Sequence, residues 1–240
     1  MGVDIAYLRI KRVIGNGEEC FLCSLEDEIE NKYADTYLSE LVMDASSRDK
    51  IIESKGFCNH HLYKMLIAAN KPGSPDGHGI ALVNESVVDK LVQDLHKQKS
   101  HHIDNLNKLL ATENKCPACI HLAEFSRIYA EKIVELLSSD SEEFLKLLKE
   151  SKGFCIPHFV ALVQLAKETM PSQEIVKILM EIEEKNLRRL NSELAEYVKR
   201  QSYEFSEKDR SAVADVVPRS VEKIAGRRGM KPETVERMQR

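Results

Sequence analysis

The 240-residue sequence contains no tryptophan, only ten glycines and seven prolines, and apolar runs only a few residues long. Runs this short cannot span a bilayer, and the N-terminal residues lack the apolar core and cleavage site of a signal peptide. Ala6 stands where a myristoylation signal has Ser or Thr. The scarcity of helix breakers, beside many Leu, Glu, Lys, Ala and Ile, favours helix. We expect an all-α, cytoplasmic protein that does not bind membranes.

The motifs of several common enzyme sites are also missing. The sequence has no glycine-rich phosphate loop, no G-x-S-x-G and no H-E-x-x-H. No periodic strand pattern occurs except YLRIKRVI at residues 7–14, which fits a helix equally well. These absences favour a protein that is not an enzyme.

The six cysteines, in contrast, follow one scheme that occurs twice. The hexapeptide ESKGFC stands at residues 53–58 and again at residues 150–155. In each half a C-x2-C pair precedes a single cysteine, which is followed three residues later by histidine. The resulting candidate metal ligands are Cys20, Cys23, Cys58 and His61 in the first half, and Cys116, Cys119, Cys155 and His158 in the second.

Three thiolates and one imidazole form a common tetrahedral set for structural zinc, with no position left for water. The pattern therefore predicts two Zn²⁺ ions per chain. Two alternatives remain open: an iron–sulfur or other iron site, and a thiol–disulfide enzyme or sensor that uses a C-x2-C pair. CPAC at residues 116–119 resembles the redox motif C-P-x-C, but no strand precedes it and the first copy, CFLC, lacks the proline. Covalent haem attachment is excluded, because neither C-x2-C pair is followed by histidine.

The apolar periodicity predicts the same order of helices in both halves. A helix follows each C-x2-C pair, a short helix ends at Gly56 or Gly153, and the next helix starts at Cys58 or Cys155. Long helices are expected over residues 80–110 and from residue 172 onward. The predicted architecture is a duplicated helical repeat bundle with two Cys3His metal-type sites, over residues 1–112 and 113–203, followed by a basic helical tail at 204–240.

The path of the chain allows two ways to pair a C-x2-C motif with a C-x2-H motif into one four-ligand site. A helix of about 20 residues extends roughly 30 Å, whereas the short return helix covers only about 12–16 Å. An extended Gly-Phe-Cys segment adds roughly 10 Å. Closure of each site within its own repeat is favoured, and the alternative pairs each C-x2-C with the C-x2-H of the other repeat.

The duplicated C-x2-C…GFC-x2-H pattern resembles an uncharacterised prokaryotic family of helical proteins, a domain of unknown function. The resemblance covers most of residues 18–200 and depends on the eight candidate ligands together with Gly56, Gly153 and Pro157. It implies the helical fold and the ligand set but no activity. We therefore expect a zinc-stabilised helical scaffold that binds an unknown macromolecular partner.

The other histidines and the tail give weaker signals. His60 aligns with Pro157 in the second repeat, and no ligand role is expected for His60, His96, His101, His102 or His121. Residues 208–240 hold nine Lys or Arg against five Asp or Glu. Clustered arginine can bind nucleic acid, but a solvated tail is the favoured interpretation, because aromatic residues for base stacking are missing.

Overall fold

The structure is a computed structural model that describes residues 4–71, 77–97, 116–139, 141–169 and 173–227. All regular secondary structure in these ranges is helical, so the all-α prediction is confirmed. None of the helices in these ranges is long and apolar enough to cross a membrane. His101, His102, the end of the helix expected over 80–110 and tail residues 228–240 lie outside the described residues.

The chain forms the following elements in order: α1 Ile5–Ile14, α2 Phe21–Thr36, a π-helical turn Tyr37–Leu41, α3 Ala45–Glu53, α4 Asn59–Ala69, α5 His78–Lys97, α6 Pro117–Ser138, α7 Glu142–Glu150, α8 Ile156–Thr169, α9 Gln173–Arg200, α10 Glu207–Ser211 and α11 Val216–Ala225.

These elements belong to two compact units. Unit 1 comprises Met1–Leu25 and Ser126–Arg240, and unit 2 comprises Glu26–Phe125. The boundaries fall within α2 and α6, whereas the sequence segments 1–112, 113–203 and 204–240 follow the order of the motifs. The duplication that defined those segments stays a prediction.

Unit 1 is built around α9, which packs against α8 and α11, while α1 packs against α7. The apolar stripe of α9 faces the core, as its periodicity predicted: Ile175, Leu179, Ile182 and Leu190 are buried. Phe21 and Phe154 are also buried, and their ring centroids lie 5.1 Å apart. This aromatic pair joins the start of α2 to the segment that precedes α8.

Unit 2 has its core among α3, α4, α5 and the end of α2. Tyr37 is 2% exposed, and its ring meets Phe57 edge-on at 5.2 Å. Ile51, Met65 and Val83 complete the buried centre. The helix predicted to follow the first C-x2-C pair, α2, ends in the π-helical turn that begins at Tyr37.

The two glycines of the repeated hexapeptide end helices, as predicted. Gly56 has φ +100° and Gly153 has φ +76°, which are left-handed values that favour glycine. After Gly56 the chain is extended, and Cys58 becomes the N-cap of α4, which places His61 in the first turn of that helix. A Cβ on Gly153 would lie 2.7 Å from Oε2 of the buried Glu183, so this turn also requires the close approach that glycine permits.

The described part of the C-terminal segment is not a solvated tail. Val216 is 1% exposed and Lys223 is fully buried in unit 1. The Lys223 ammonium donates to the backbone oxygen of Lys152 at 2.7 Å and lies 2.8 Å from Glu183. The expectation of a solvated tail is therefore wrong for α11, because this helix supplies the partner of a buried carboxylate.

Candidate metal centres

The structure gathers all eight sequence-predicted ligands into two groups of four, one in each unit. Unit 1 contains Cys20, Cys23, Cys155 and His158, and unit 2 contains Cys58, His61, Cys116 and Cys119. Within each group the sulfur and nitrogen atoms all lie within 4.8 Å of one another. Each C-x2-C pair therefore lies beside the C-x2-H pair of the other half, and the expectation of closure within a repeat is wrong.

Helix lengths are compatible with this exchange. The 16 residues of α2 extend about 24 Å, and the nine residues of α3 return about 14 Å. The π-helical turn lengthens the outward path, and the extended Gly-Phe-Cys segment lengthens the return by roughly 10 Å. The two paths are therefore similar in length, and chain length alone does not decide between the two closures.

The unit 1 group has three short contacts to one imidazole nitrogen. Nδ1 of His158 lies 3.1 Å from Sγ of Cys155, 3.4 Å from Sγ of Cys20 and 3.5 Å from Sγ of Cys23. Sγ of Cys23 and Sγ of Cys155 are 3.7 Å apart. All three cysteines are buried.

The unit 2 group repeats these distances. Nδ1 of His61 lies 3.2 Å from Sγ of Cys58, 3.3 Å from Sγ of Cys119 and 3.5 Å from Sγ of Cys116. Sγ of Cys58 and Sγ of Cys119 are 3.7 Å apart. The two groups thus share a donor set, a histidine nitrogen and a pattern of distances.

These distances fit the edges of a zinc tetrahedron. Zn–S bonds of about 2.3 Å and Zn–N bonds of about 2.0–2.1 Å imply S···S edges of about 3.8 Å and S···N edges of about 3.5 Å. The sulfurs are also too far apart for a disulfide, whose S–S bond is about 2.05 Å. None of the six cysteines forms a disulfide. Both groups are therefore geometrically suitable for a metal ion.

The electrostatics of the thiols favour a bound cation. In unit 2, burial raises the pKa of Cys116, but His61 and nearby backbone N–H groups more than offset this and lower it to about 6. Burial and the neighbouring Cys116 charge raise the pKa of Cys119 to about 12. In unit 1 the pKa of Cys20 is lowered and that of Cys23 is raised by its neighbouring cysteines. The thiolates of one group oppose each other's ionisation, and a dication removes that repulsion.

A buried carboxylate stands behind the unit 2 histidine. Glu30 of α2 is 5% exposed, and its Oε1 lies 3.2 Å from Nε2 of His61 and 3.0 Å from Nε2 of His60. The contact with His61 is electrostatic and lacks the alignment of a full hydrogen bond. Lys64 pairs with the other oxygen of Glu30 and lies 3.0 Å from Asp27. Burial raises the pKa of Glu30, but His60, His61 and Lys64 outweigh it and hold this pKa far below its usual range.

Carboxylates in this position orient metal-bound histidines and increase their basicity. The sequence analysis did not identify Glu30 or Lys64 as functional. Glu30 lies 31 positions from His61 in the sequence, and only the contact between α2 and α4 brings the two side chains together. One feature of the sequence could have pointed to this arrangement. The four-residue spacing between His60 and Lys64 places both side chains on one face of α4.

The C-terminal segment closes the unit 1 group. The backbone N–H of Arg227 donates to Sγ of Cys23 at 3.4 Å. A Cβ on Gly226 would lie 3.4 Å from Sγ of Cys155, and Gly226 has φ +78°. The Arg227 guanidinium pairs with Glu18 and lies 2.7 Å from Glu222. No local pattern in the sequence predicts this contact, because it depends on where α11 packs.

The structure places His60, His96 and His121 outside the two four-donor groups, and His60 forms a further candidate metal group with Glu30 and His61. His60 contacts Glu30 outside the unit 2 group. His121 packs between aromatic rings, 4.9 Å from Tyr33 and 4.7 Å from Phe125 by ring centroids. His96 is exposed near the end of α5.

Similarity to known proteins identifies a family without an assigned activity. Residues 1–231 match the Family of unknown function (DUF6062). The chain is 23% identical over 164 residues to an uncharacterised 23.9 kDa protein in the xynA 3' region of Caldicellulosiruptor sp. (strain Rt8B.4), a match covering 68% of this chain and 74% of that protein. No solved structure matches. The resemblance inferred from the motifs is confirmed, and no relative supplies a substrate or partner.

Proposed function

The chain belongs to the DUF6062 family, and we propose that it is a zinc-stabilised helical scaffold that binds another protein. Each unit would hold one Zn²⁺ through three thiolates and one imidazole. The ligands are Cys20, Cys23, Cys155 and His158 in unit 1, and Cys58, His61, Cys116 and Cys119 in unit 2. The observation that carries the proposal is the tetrahedral spacing of four donors, present twice.

A four-ligand zinc site leaves no open position for water or substrate, so its role is structural. Catalytic zinc sites instead keep three protein ligands and one exchangeable position. The surroundings support the structural role. All three cysteines of the unit 1 group and Cys116 of unit 2 are buried. In unit 1 the backbone of residues 226–227 also covers Cys23 and Cys155.

The matching construction of the two groups supports an internal duplication. In both, a C-x2-C pair opens a long helix, α2 or α6, and a C-x2-H pair opens a shorter one, α4 or α8. Each half of the duplication would contribute two ligands to each unit. Because of this reciprocal exchange, the two consecutive repeats in the sequence would not coincide with the two compact units of the structure.

The interaction role is supported by apolar side chains on the outside of unit 2. Val88, Val92 and Leu95 of α5 are 54%, 59% and 43% exposed. Their spacing of four and three residues places them on one face of the helix. Contiguous exposed apolar surface of this kind is typical of protein-binding sites.

A nucleic-acid partner is less well supported. Three basic residues of the described tail are already paired within unit 1. Arg219 lies 2.8 Å from Glu19, Lys223 lies 2.8 Å from Glu183, and Arg227 pairs with Glu18. Cations neutralised in this way contribute little to phosphate binding. We therefore favour a protein partner, in a reducing compartment such as the cytoplasm, where the six free thiols would stay reduced.

One observation favours the alternative of a thiol–disulfide enzyme. Cys116 directly precedes α6, and its pKa is lowered to about 6, as in reactive thiols at helix N-termini. The site would then be a dithiol formed by Cys116 and Cys119. Metal binding is supported instead by a third thiol, that of Cys58, and by the imidazole of His61, because both lie at the distances of a tetrahedral site.

Metal analysis of protein purified without oxygen distinguishes these functions. We expect two zinc ions per chain and a colourless solution, because each group offers one closed four-ligand site. Stoichiometric iron together with absorption near 400 nm, about where iron–sulfur proteins absorb, would instead indicate iron–sulfur sites. Metal-free protein that forms two reversible disulfides would support the thiol–disulfide enzyme and contradict the scaffold.

A further inference from the structure

The two candidate metal centres differ in the exposure of their cysteines. Cys23 is the most exposed of the three unit 1 cysteines, at only 3%, whereas Cys58 and Cys119 of unit 2 are partly exposed. The partly exposed ligand of unit 1 is instead His158, whose imidazole has no place in the oxidation series of thiols. Reagents that attack sulfur therefore have better access to the unit 2 centre.

Each centre holds one pair of sulfurs at the same separation. Sγ of Cys58 lies 3.7 Å from Sγ of Cys119 in unit 2, and Sγ of Cys23 lies 3.7 Å from Sγ of Cys155 in unit 1. Only a small movement would bring either pair to the S–S bond length of about 2.05 Å. The two pairs differ in access and not in spacing. An accessible thiolate beside a second thiol is the usual arrangement of oxidation-sensitive cysteines.

The backbone of residues 226–227 covers the unit 1 pair. The N–H of Arg227 donates to Sγ of Cys23 at 3.4 Å. Gly226 lies so close to Sγ of Cys155 that an added Cβ would be 3.4 Å from it. Hydrogen bonding stabilises a thiolate, and a more stable thiolate is a weaker nucleophile. The unit 1 pair is therefore both shielded and less reactive.

Ion pairs within unit 1 hold this cover in place. The Arg227 guanidinium pairs with Glu18, which precedes the first C-x2-C motif. Lys223 of α11 is fully buried and lies 2.8 Å from Glu183 of α9. These contacts connect the covering backbone to two segments that are far from it in the sequence. The cover is thus part of the packed structure of unit 1.

We propose that Cys58 and Cys119 form a peroxide-reactive pair, whose oxidation to a disulfide releases the unit 2 zinc while the covered unit 1 centre keeps its ion. This inference rests on the proposed function, because it requires zinc in both units. After oxidation only Cys116 and His61 would remain as ligands in unit 2, which is too few for a closed zinc site. Unit 2, which carries the exposed apolar face of α5, would be the unit that responds to oxidants.

Hydrogen peroxide is the oxidant, and the two thiolates supply the two electrons. The first thiolate attacks one peroxide oxygen: an S–O bond forms, the O–O bond breaks, and the leaving hydroxide takes up a proton to become water. The second thiolate attacks the sulfur of the resulting sulfenic acid. The S–S bond forms, the S–O bond breaks, and a second hydroxide leaves and is protonated to water.

The test treats full-length, zinc-loaded protein with hydrogen peroxide and follows released Zn²⁺ with a chromogenic chelator. A sample without peroxide corrects for extraction of zinc by the chelator. We expect the first zinc ion of each chain to be released at least about tenfold faster than the second, because thiol oxidation follows exposure. Mass spectrometry after the first phase should show a Cys58–Cys119 disulfide. Equal release rates, or a first disulfide between other cysteines, would overturn the proposal.

The zinc content before peroxide is added separates this inference from the proposed function. Protein that does not hold two zinc ions at the start would refute the proposed function, and this inference with it. Protein that holds two zinc ions and releases both at one rate would refute this inference alone.

Two shortened chains test the role of the cover. A chain that ends at Ala225 lacks residues 226–227, whereas a matched chain that ends at Arg228 keeps them, and both contain all of α11. In the shorter chain we expect release of the unit 1 zinc to be at least about fivefold faster, because buried cysteines are inert until they are exposed. A Cys23–Cys155 disulfide should form at the same time. Equal unit 1 release rates in the two chains would show that residues 226–227 do not protect this centre and would overturn the proposal.

Discussion

Removal of zinc from both sites is expected to abolish much of the helical circular dichroism of the protein. Structural zinc contributes on the order of 10 kcal/mol of apparent binding free energy, whereas whole domains are stable by about 5–15 kcal/mol. Each ion would connect segments distant in sequence, such as Cys20 with Cys155 and Cys58 with Cys116. Without the ion, these links between distant segments are lost, while buried charged side chains such as Glu30 remain. At least one unit should therefore unfold.

The measurement is circular dichroism at 222 nm after dialysis against a strong chelator and a reducing agent. Addition of Zn²⁺ should restore the helical signal, which separates metal loss from irreversible damage. A protein that keeps its helicity and melting temperature after complete removal of metal would show that the sites do not stabilise the fold.

His61→Ala is expected to release the unit 2 zinc, whereas His60→Ala should retain it. Nδ1 of His61 lies 3.2–3.5 Å from three sulfurs, so its loss leaves three thiolates and an opening to water. Its loss also leaves the buried Glu30 with fewer partners. His60 lies outside the four-donor group, contacts Glu30 and meets the His61 ring edge-on, with 5.0 Å between the ring centroids. We expect His60→Ala to lower the free energy of unfolding by about 1–2 kcal/mol, because the buried Glu30 keeps Lys64 as a partner.

The readout is zinc content after dialysis against a mild chelator. We expect one ion per chain for His61→Ala and two for His60→Ala. His158→Ala is the matched variant of unit 1 and should also retain one ion. Release of metal by His60→Ala, with retention by His61→Ala, would reverse the ligand assignment.

Local features of the fold and site were accessible from the sequence. The residues of both four-donor groups could be named from their spacing alone, since no cysteine lay outside the scheme. Gly56 and Gly153 marked the ends of short helices because the left-handed conformation favours glycine. The stripe of Ile175, Leu179 and Ile182 predicted a buried face correctly, because helical periodicity is a local property.

Features that depend on long-range packing were not accessible. Spacing identified the donor residues, but it could not decide between two closures that differed by a few ångströms of chain length. The buried pair of Glu183 and Lys223 joins α9 to α11, and no local pattern predicts such a contact. For the same reason the basic tail read as solvated, although Arg219 and Arg227 pair with glutamates of unit 1.

Zinc stoichiometry of two double variants tests the central claim of two exchanged metal centres most directly. Cys20→Ser with Cys155→Ser removes two donors from the unit 1 group only, whereas Cys20→Ser with Cys58→Ser removes one donor from each group. After dialysis against a chelator that competes with three-ligand sites, the first variant should retain one zinc ion per chain and the second should retain none. The reverse result, none in the first variant and one in the second, would show that each site closes within its own half and would contradict the account.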